Sequence, residues 1–262
     1  MHQILFTIPA FHLGSHFFAP FAVYTYGVML SIAFAVGLMV AVRRAKAAGL
    51  PENKIADLCI VLLVSGVVGS RLLYVFESWG DYAHNPLGVF NLREGGLSLH
   101  GGLIVGFLAG LWFVRTRHID FWKGADALAP AIAIGMGIGR IGCFFNGCCL
   151  GIPTTLPWGV VFKDNTQFFG PRHPTQLYEM TLNFLIAAIL MTGFKKAKPG
   201  AAFLWLCILS GTERFFMEFL RAEAIPAGPL SVAQWFCLAI VVAAGLALAR
   251  RHHAAAIATQ NT

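Results

Sequence analysis

The sequence predicts an all-α, polytopic integral membrane protein with seven transmembrane helices, its N-terminus outside and its C-terminus in the cytoplasm. Three observations predict it. Of 262 residues, 57% are hydrophobic and only 12% are charged, against roughly 25% charged in a soluble domain, and the mean hydropathy is +0.70. Seven apolar runs come near the ~20 residues that a spanning helix needs. The basic residues gather in alternate loops. Topology thus accounts for the formal net charge of +7, and no nucleic-acid partner is expected.

Residues 1–20 read as a short amphipathic or irregular segment at the interface. No cleavable signal peptide is expected, because the N-terminus lacks a basic region and Pro9, His12 and His16 break its apolar character. The predicted spans are 21–42, 55–77, 97–114, 124–146, 174–194, 200–220 and 230–249. Arg43, Arg44, Lys46 and Lys54 lie in one connection, Arg115, Arg117 and Lys123 in the next on that side, then Lys195, Lys196 and Lys198, and finally Arg250 and Arg251. The opposite loops hold only Arg93, Lys163, Arg172 and Arg221, and the positive-inside rule then sets the orientation. Two external loops are long, 78–96 and 147–173. The second carries Pro153, Pro157, Trp158, Phe162, Phe168 and Phe169, which suits an arm resting on the outer surface. No repeat or second domain is evident: one transmembrane domain covers 1–262, with a disordered tail after Arg251.

Residues 135–151, GMGIGRIGCFFNGCCLG, place Arg140 among Gly135, Gly137, Gly139 and Gly142 inside an apolar run. Glycines there let a neighbouring helix or a ligand approach the backbone. An arginine in such a run is costly unless it is paired, solvated or holding an anion. The predicted orientation puts further polar groups at a similar depth: Tyr26, Arg71 with Tyr74, His100, Asn146, Gln176 with Glu179, and Arg214 with Glu218. Only Asp126 falls at the cytoplasmic end of its span. The clustering argues for a polar cavity open to the outer leaflet.

Each signal has a structural reading beside the functional one. Arg214, Glu218 and Arg221 share a helix face at i, i+4 and i+7; Glu218 either neutralises Arg214 or aims it at an anionic ligand. His100 is a packed or capping histidine or a substrate-facing base, and the flanking Gly95, Gly96, Gly101 and Gly102 favour the latter. Arg71 reads as a structural partner of Glu77 or Glu179, and Asn146 as the cap of its span. Cys143, Cys148 and Cys149 allow small-residue packing, a disulfide or a metal site. A metal would want further ligands, of which His173 is the nearest in sequence.

GGLSLHGG at 95–102, GRIGCFFNG at 139–147, RHPTQLYE at 172–179 and ERFFMEFLR at 213–221 resemble the prolipoprotein diacylglyceryl transferase family, as do Tyr26-Gly27 and GSRLLYVFE at 69–77. The motifs stand in the family's order across most of the chain. The resemblance implies transfer of the sn-1,2-diacylglyceryl group from phosphatidylglycerol to the lipobox cysteine of a prolipoprotein, forming a thioether and releasing glycerol-1-phosphate. It implies a multi-pass protein of the bacterial inner membrane with its active site facing the outer leaflet. Phosphatidylglycerol, the prolipoprotein signal-peptide segment and membrane lipids are the expected partners. Carried over by motif, His100, Arg140 and Arg214 are catalytic. Arg140, Arg214, Glu218, Tyr26, Asn146 and Gly151 bind substrate.

The residue types suit that chemistry. Arg140 and Arg214 offer bidentate donors to a phosphate as its charge grows. A thiol needs deprotonation, for which His100 is the base. No metal or organic cofactor is expected, because the phosphate ester is already a leaving group. The chain departs from the family pattern at Cys143, where Asn is expected, at Cys148, where an acid is expected, and at Ser210, where Tyr is expected. Two other classes stand as alternatives: a transporter for an anionic solute, and a membrane thiol oxidoreductase using Cys143, Cys148 and Cys149. A transporter is expected to show inverted repeats or paired broken helices, and neither is evident in this sequence.

Overall fold

The computed structural model describes residues 3–260 except 14–15, 19, 83–85, 92–94, 163–168, 195–196 and 223–224. Arg93, Lys163, Phe168, Lys195 and Lys196 therefore lie outside the described residues. The chain is mostly helical, and among the described residues five helices are long and apolar enough to cross a membrane: α1 (Thr25–Ala47), α2 (Glu52–Glu77), α4 (Leu99–Thr116), α5 (Phe121–Asn146) and α8 (Val232–Gln260). Between them stand the short α3 (Trp79–Tyr82), α6 (Thr175–Gly193) and α7 (Ala201–Met217). The residues group into two compact units, one of 1–40 with 125–262 and one of 41–124.

The first residues are strands. β1 (Ile4–Ile8) pairs antiparallel with β4 (Phe21–Tyr24), and β2 (Phe11–Leu13) pairs with β3 (His16–Phe18). Here the interfacial irregular segment is corrected, and α1 starts at Thr25 rather than at residue 21. The physical reason is local: Pro9 and Pro20 deny this stretch helical hydrogen bonds, and its aromatic and β-branched residues favour extended backbone. At the other end α8 runs to Gln260. Ala254, Ala255, Ala256 and Ala258 are strong helix formers.

In the unit of 41–124, α2 and α4 cross at glycine. A Cβ on Gly69 would sit 2.5 Å from the Gly101 carbonyl oxygen, and one on Gly101 would meet the Gly69 carbonyl in turn. Only hydrogen at both positions permits that approach. Arg71, expected to partner an acid, is held within this unit by backbone carbonyls. Its guanidinium donates to the carbonyls of Val89 (2.8 Å), Gly95 (2.6 Å), Gly96 (2.9 Å), Gly88 (2.9 Å) and Asn91 (3.0 Å). All five N–H donors of a buried arginine are thereby answered by the loop that leads to α4.

In the other unit, Ala129, Ala133, Ile186, Ala187, Leu190, Ala202 and Leu206 pack α5, α6 and α7 together. Small residues on α5 let the three helices close up. Asp126, set apart in the sequence by its depth, accepts from the backbone N–H of Gly200 (2.6 Å) and Phe203 (2.9 Å). It thus answers the orphan donors and positive dipole at the start of α7.

Candidate active site

The site is built around Glu179, on α6 one turn past its start. The carboxylate is almost wholly buried, with its side chain 2% exposed. Three arginines converge on it. Arg140 of α5 places Nε 2.5 Å from Oε2, while Arg214 of α7 and Arg221, just beyond α7, each bring Nη1 to 3.8 Å from Oε1. A buried carboxylate ringed by three guanidinium groups holds the cations in place.

Glu218 supplies the second anchor. Its Oε2 lies 2.7 Å from Arg214 Nη2, the i, i+4 pair expected from spacing. Its Oε1 accepts from Ser231 Oγ at 3.0 Å. Ser231 and Gln234 form a capping box at the start of α8. Ser231 N–H donates to Gln234 Oε1 (2.8 Å), Gln234 N–H donates to Ser231 Oγ (3.2 Å), and Gln234 Nε2 reaches back to the Phe215 carbonyl (3.3 Å). The cap of one helix thus orients the carboxylate that orients Arg214.

The side chains of Arg140 and Arg214 remain 20% and 28% exposed while Glu179 and Glu218 are nearly sealed. Among the described residues, the buried Nη1 of Arg214 makes no hydrogen bond, since Glu179 Oε1 stands 3.8 Å away. Both arginines are thus paired to buried acids while their own side chains stay only partly buried.

Arg221 was read from sequence only as the third member of a helical face. α7 in fact ends at Met217, a 3₁₀ turn covers Glu218–Leu220, and Arg221 is extended. What carries it to Glu179 is a strand-like stitch. Ile152 N–H donates to Leu220 (2.8 Å), Ala222 N–H to Leu150 (3.0 Å) and His173 N–H to Ile152 (3.1 Å), while Gly151 bridges Arg221. Gly151 sits where these segments meet: a Cβ there would lie 2.5 Å from the His173 carbonyl oxygen, and its own carbonyl accepts from Arg172 Nη1 at 2.8 Å.

The remaining expected residues divide between the units. Tyr26, at the start of α1, packs its ring against the α5 backbone, 3.1 Å from where a Gly142 Cβ would be. Asn146 is the last residue of α5; Gln3 Nε2 donates to its carbonyl at 3.2 Å. His100 belongs to the unit of 41–124, exposed in the first turn of α4. Ser210 lies one turn before Arg214 on α7, and its buried hydroxyl has no hydrogen-bond partner among the described residues.

Cys143, Cys148 and Cys149 come together in the first unit, their sulfur atoms within 4.8 Å of one another. Hydrogen bonds from the Cys143 and Cys148 thiols hold Cys149 below the usual thiol range against its burial, aided by Arg221 and Arg140.

Sequence missed the rank of Glu179 and Arg221. A signal was available in the RHPTQLYE and ERFFMEFLR stretches, but charge spacing within one helix cannot show that two helices and a loop aim at one carboxylate.

Comparison with known proteins assigns this arrangement to a family. Residues 14–250 match the family described as prolipoprotein diacylglyceryl transferase. A phosphatidylglycerol–prolipoprotein diacylglyceryl transferase of Bacillus cereus (strain G9842) is 35% identical over 232 residues, which is 85% of this chain and 86% of that protein. One from Bacillus cereus (strain B4264) is 34% identical over 249 residues, 92% of each chain. One from Bacillus anthracis (strain A0248) is 35% identical over 236 residues, 85% of this chain and 86% of its own. With most of its length matched and its arginines gathered on one buried acid, the chain belongs to the prolipoprotein diacylglyceryl transferase family.

Proposed function

We propose that this protein transfers the sn-1,2-diacylglyceryl group of phosphatidylglycerol to the lipobox cysteine of prolipoproteins, releasing glycerol-1-phosphate. The observation that carries the reading is the convergence of Arg140 and Arg214 on the buried Glu179, with both arginine side chains only partly buried. An acceptor thiolate attacks glyceryl carbon C3 and the C–O bond to phosphate breaks. The charge that develops on the phosphate oxygen meets two donors already held by buried acids, so they need not reorganise as the bond breaks. His100 takes the thiol proton, and Tyr26, Asn146 and Gly151 line the path of lipid and peptide.

The enzyme works in the bacterial cytoplasmic membrane with its active site toward the outer leaflet. α6, and α7 with its 3₁₀ extension, complete seven spans with the N-terminus outside; the alternating basic loops support this. The first test is complementation. The chain should restore lipoprotein maturation in a transferase-depleted bacterium, and loss of lipidation despite normal insertion would overturn the assignment. His100→Gln should slow transfer and flatten the acidic limb of its pH profile, because protonation of the base is what suppresses the rate there. An unchanged profile would remove His100 from that role.

A further inference from the structure

Cys143, Cys148 and Cys149 are not used by the reaction as described, and two of them replace residues of other chemistry in the family pattern. The fold has gathered them deliberately. Cys143 lies in the last turn of α5, three residues after Arg140 and so on the same face. The chain then reverses through Gly147 at φ +69° and Cys149 at φ +61°, the second a left-handed conformation that costs a non-glycine residue about 1–2 kcal/mol. The turn is clamped: Gln176 Nε2 donates to the Cys148 carbonyl at 2.7 Å, Thr175 Oγ1 to the Cys149 carbonyl at 2.8 Å, and Cys148 N–H to the Cys143 carbonyl at 3.3 Å. Gln176 and Thr175 are themselves buried.

Three explanations compete for such a cluster. Packing alone does not call for a strained residue that turns a thiol toward two others. A Cys148–Cys149 disulfide is disfavoured because adjacent Cα atoms stand about 3.8 Å apart, below the ~4.4–6.8 Å usual for a bridge. Metal ligation fits. In a tetrahedral zinc site with Zn–S near 2.3 Å, sulfurs lie about 3.8 Å apart. The three Sγ atoms already lie within 4.8 Å of one another, so small rotamer adjustments close the set.

The ligand count then speaks to the role. Among the described residues, no histidine or carboxylate joins the three thiols. Zinc sites closed by four protein ligands are structural, whereas three protein ligands leave a position for water or substrate.

We propose that Cys143, Cys148 and Cys149 bind one zinc ion whose fourth position takes the acceptor cysteine of the prolipoprotein as a thiolate, a role that rests on the thiol-alkylating reaction proposed above. On coordination the acceptor S–H gives its proton to the general base. A sulfur lone pair then forms the S–C bond to glyceryl C3, the C–O bond breaks, and its electron pair leaves on the phosphate oxygen. The neutral thioether is a weaker ligand than the thiolate and gives way to water. No oxidant or reductant is consumed. Holding the thiolate one helical turn from Arg140 places nucleophile and leaving group on the same stretch of α5.

The test uses the full-length protein in detergent. Elemental analysis should find about one zinc per chain, falling at least about tenfold in the C143S/C148S/C149S variant. Cobalt(II) added to chelator-stripped wild type should give the intense visible bands of a tetrahedral thiolate site, a readout that does not depend on the variant folding. Absence of zinc together with an octahedral cobalt spectrum overturns the site, as does an intramolecular disulfide in the metal-free protein purified without reductant. A synthetic lipobox peptide should then shift the cobalt bands, while its Cys→Ser counterpart should not. Peptide binding without that shift overturns the substrate position. Zinc binding and the peptide shift in a chain that fails complementation would count against the transferase reading and leave the metal site standing.

Discussion

At the residue scale the site is a problem in charge placement. Arg140, Arg214 and Arg221 surround Glu179, and Glu218 adds a second acid to Arg214. Such a cluster holds only while its hub is present, because removing one partner of a buried pair strands the others. Glu179→Gln is therefore expected to destabilise the protein by about 3–5 kcal/mol, measured as a lower midpoint of unfolding in detergent. A midpoint equal to wild type would show that the arginines are held by something else. Arg140→Ala and Arg214→Ala should each lower transfer by about 10²–10³-fold while the protein still inserts, because each removes one donor to the leaving phosphate. Wild-type rates in either variant would break the clamp. The two classes of substitution separate what holds the site from what the site does.

At the element scale the positions that matter make or end helices. The capping box of Ser231 and Gln234 starts α8 and also holds Glu218 against Arg214. Loss of the cap in Ser231→Ala should cost about 1 kcal/mol of stability, and transfer should fall further than stability does, since Glu218 loses its anchor. A fall in both by the same proportion would make the serine a cap only. α2 and α4 meet through Gly69 and Gly101, where no side chain fits. Gly101→Val should reduce the folded yield and the unfolding midpoint sharply, because the clash is with backbone and cannot be relieved by a rotamer. Helix boundaries were legible from apolar runs to within a few residues for most elements. The exception has a local cause: prolines and extended-chain residues turned the N-terminal segment into strands.

At the scale of the whole molecule the question is which side each loop faces. Basic residues alternate between connections, so cysteine-labelling reagents that do not cross membranes should reach positions in 147–173 but not in 115–123 in intact spheroplasts. The reverse pattern would invert the topology. Family membership and the multi-helix membrane setting were legible in the sequence, from its motifs and from apolar runs in which a charged group is costly and so informative on its own. What only the tertiary structure decided is how those charges are shared. Arg71 turned from an expected acid partner to a ring of loop carbonyls, a choice made by where residues 88–96 return toward α2. Arg221 left its predicted helical face and still reached Glu179 through the stitch at Gly151. The thiols of Cys143, Cys148 and Cys149 came together because left-handed turns at Gly147 and Cys149 fold the chain back on the end of α5. Hydropathy and spacing record the cost of placing a group in a membrane; which partner meets that cost depends on contacts between segments far apart in sequence.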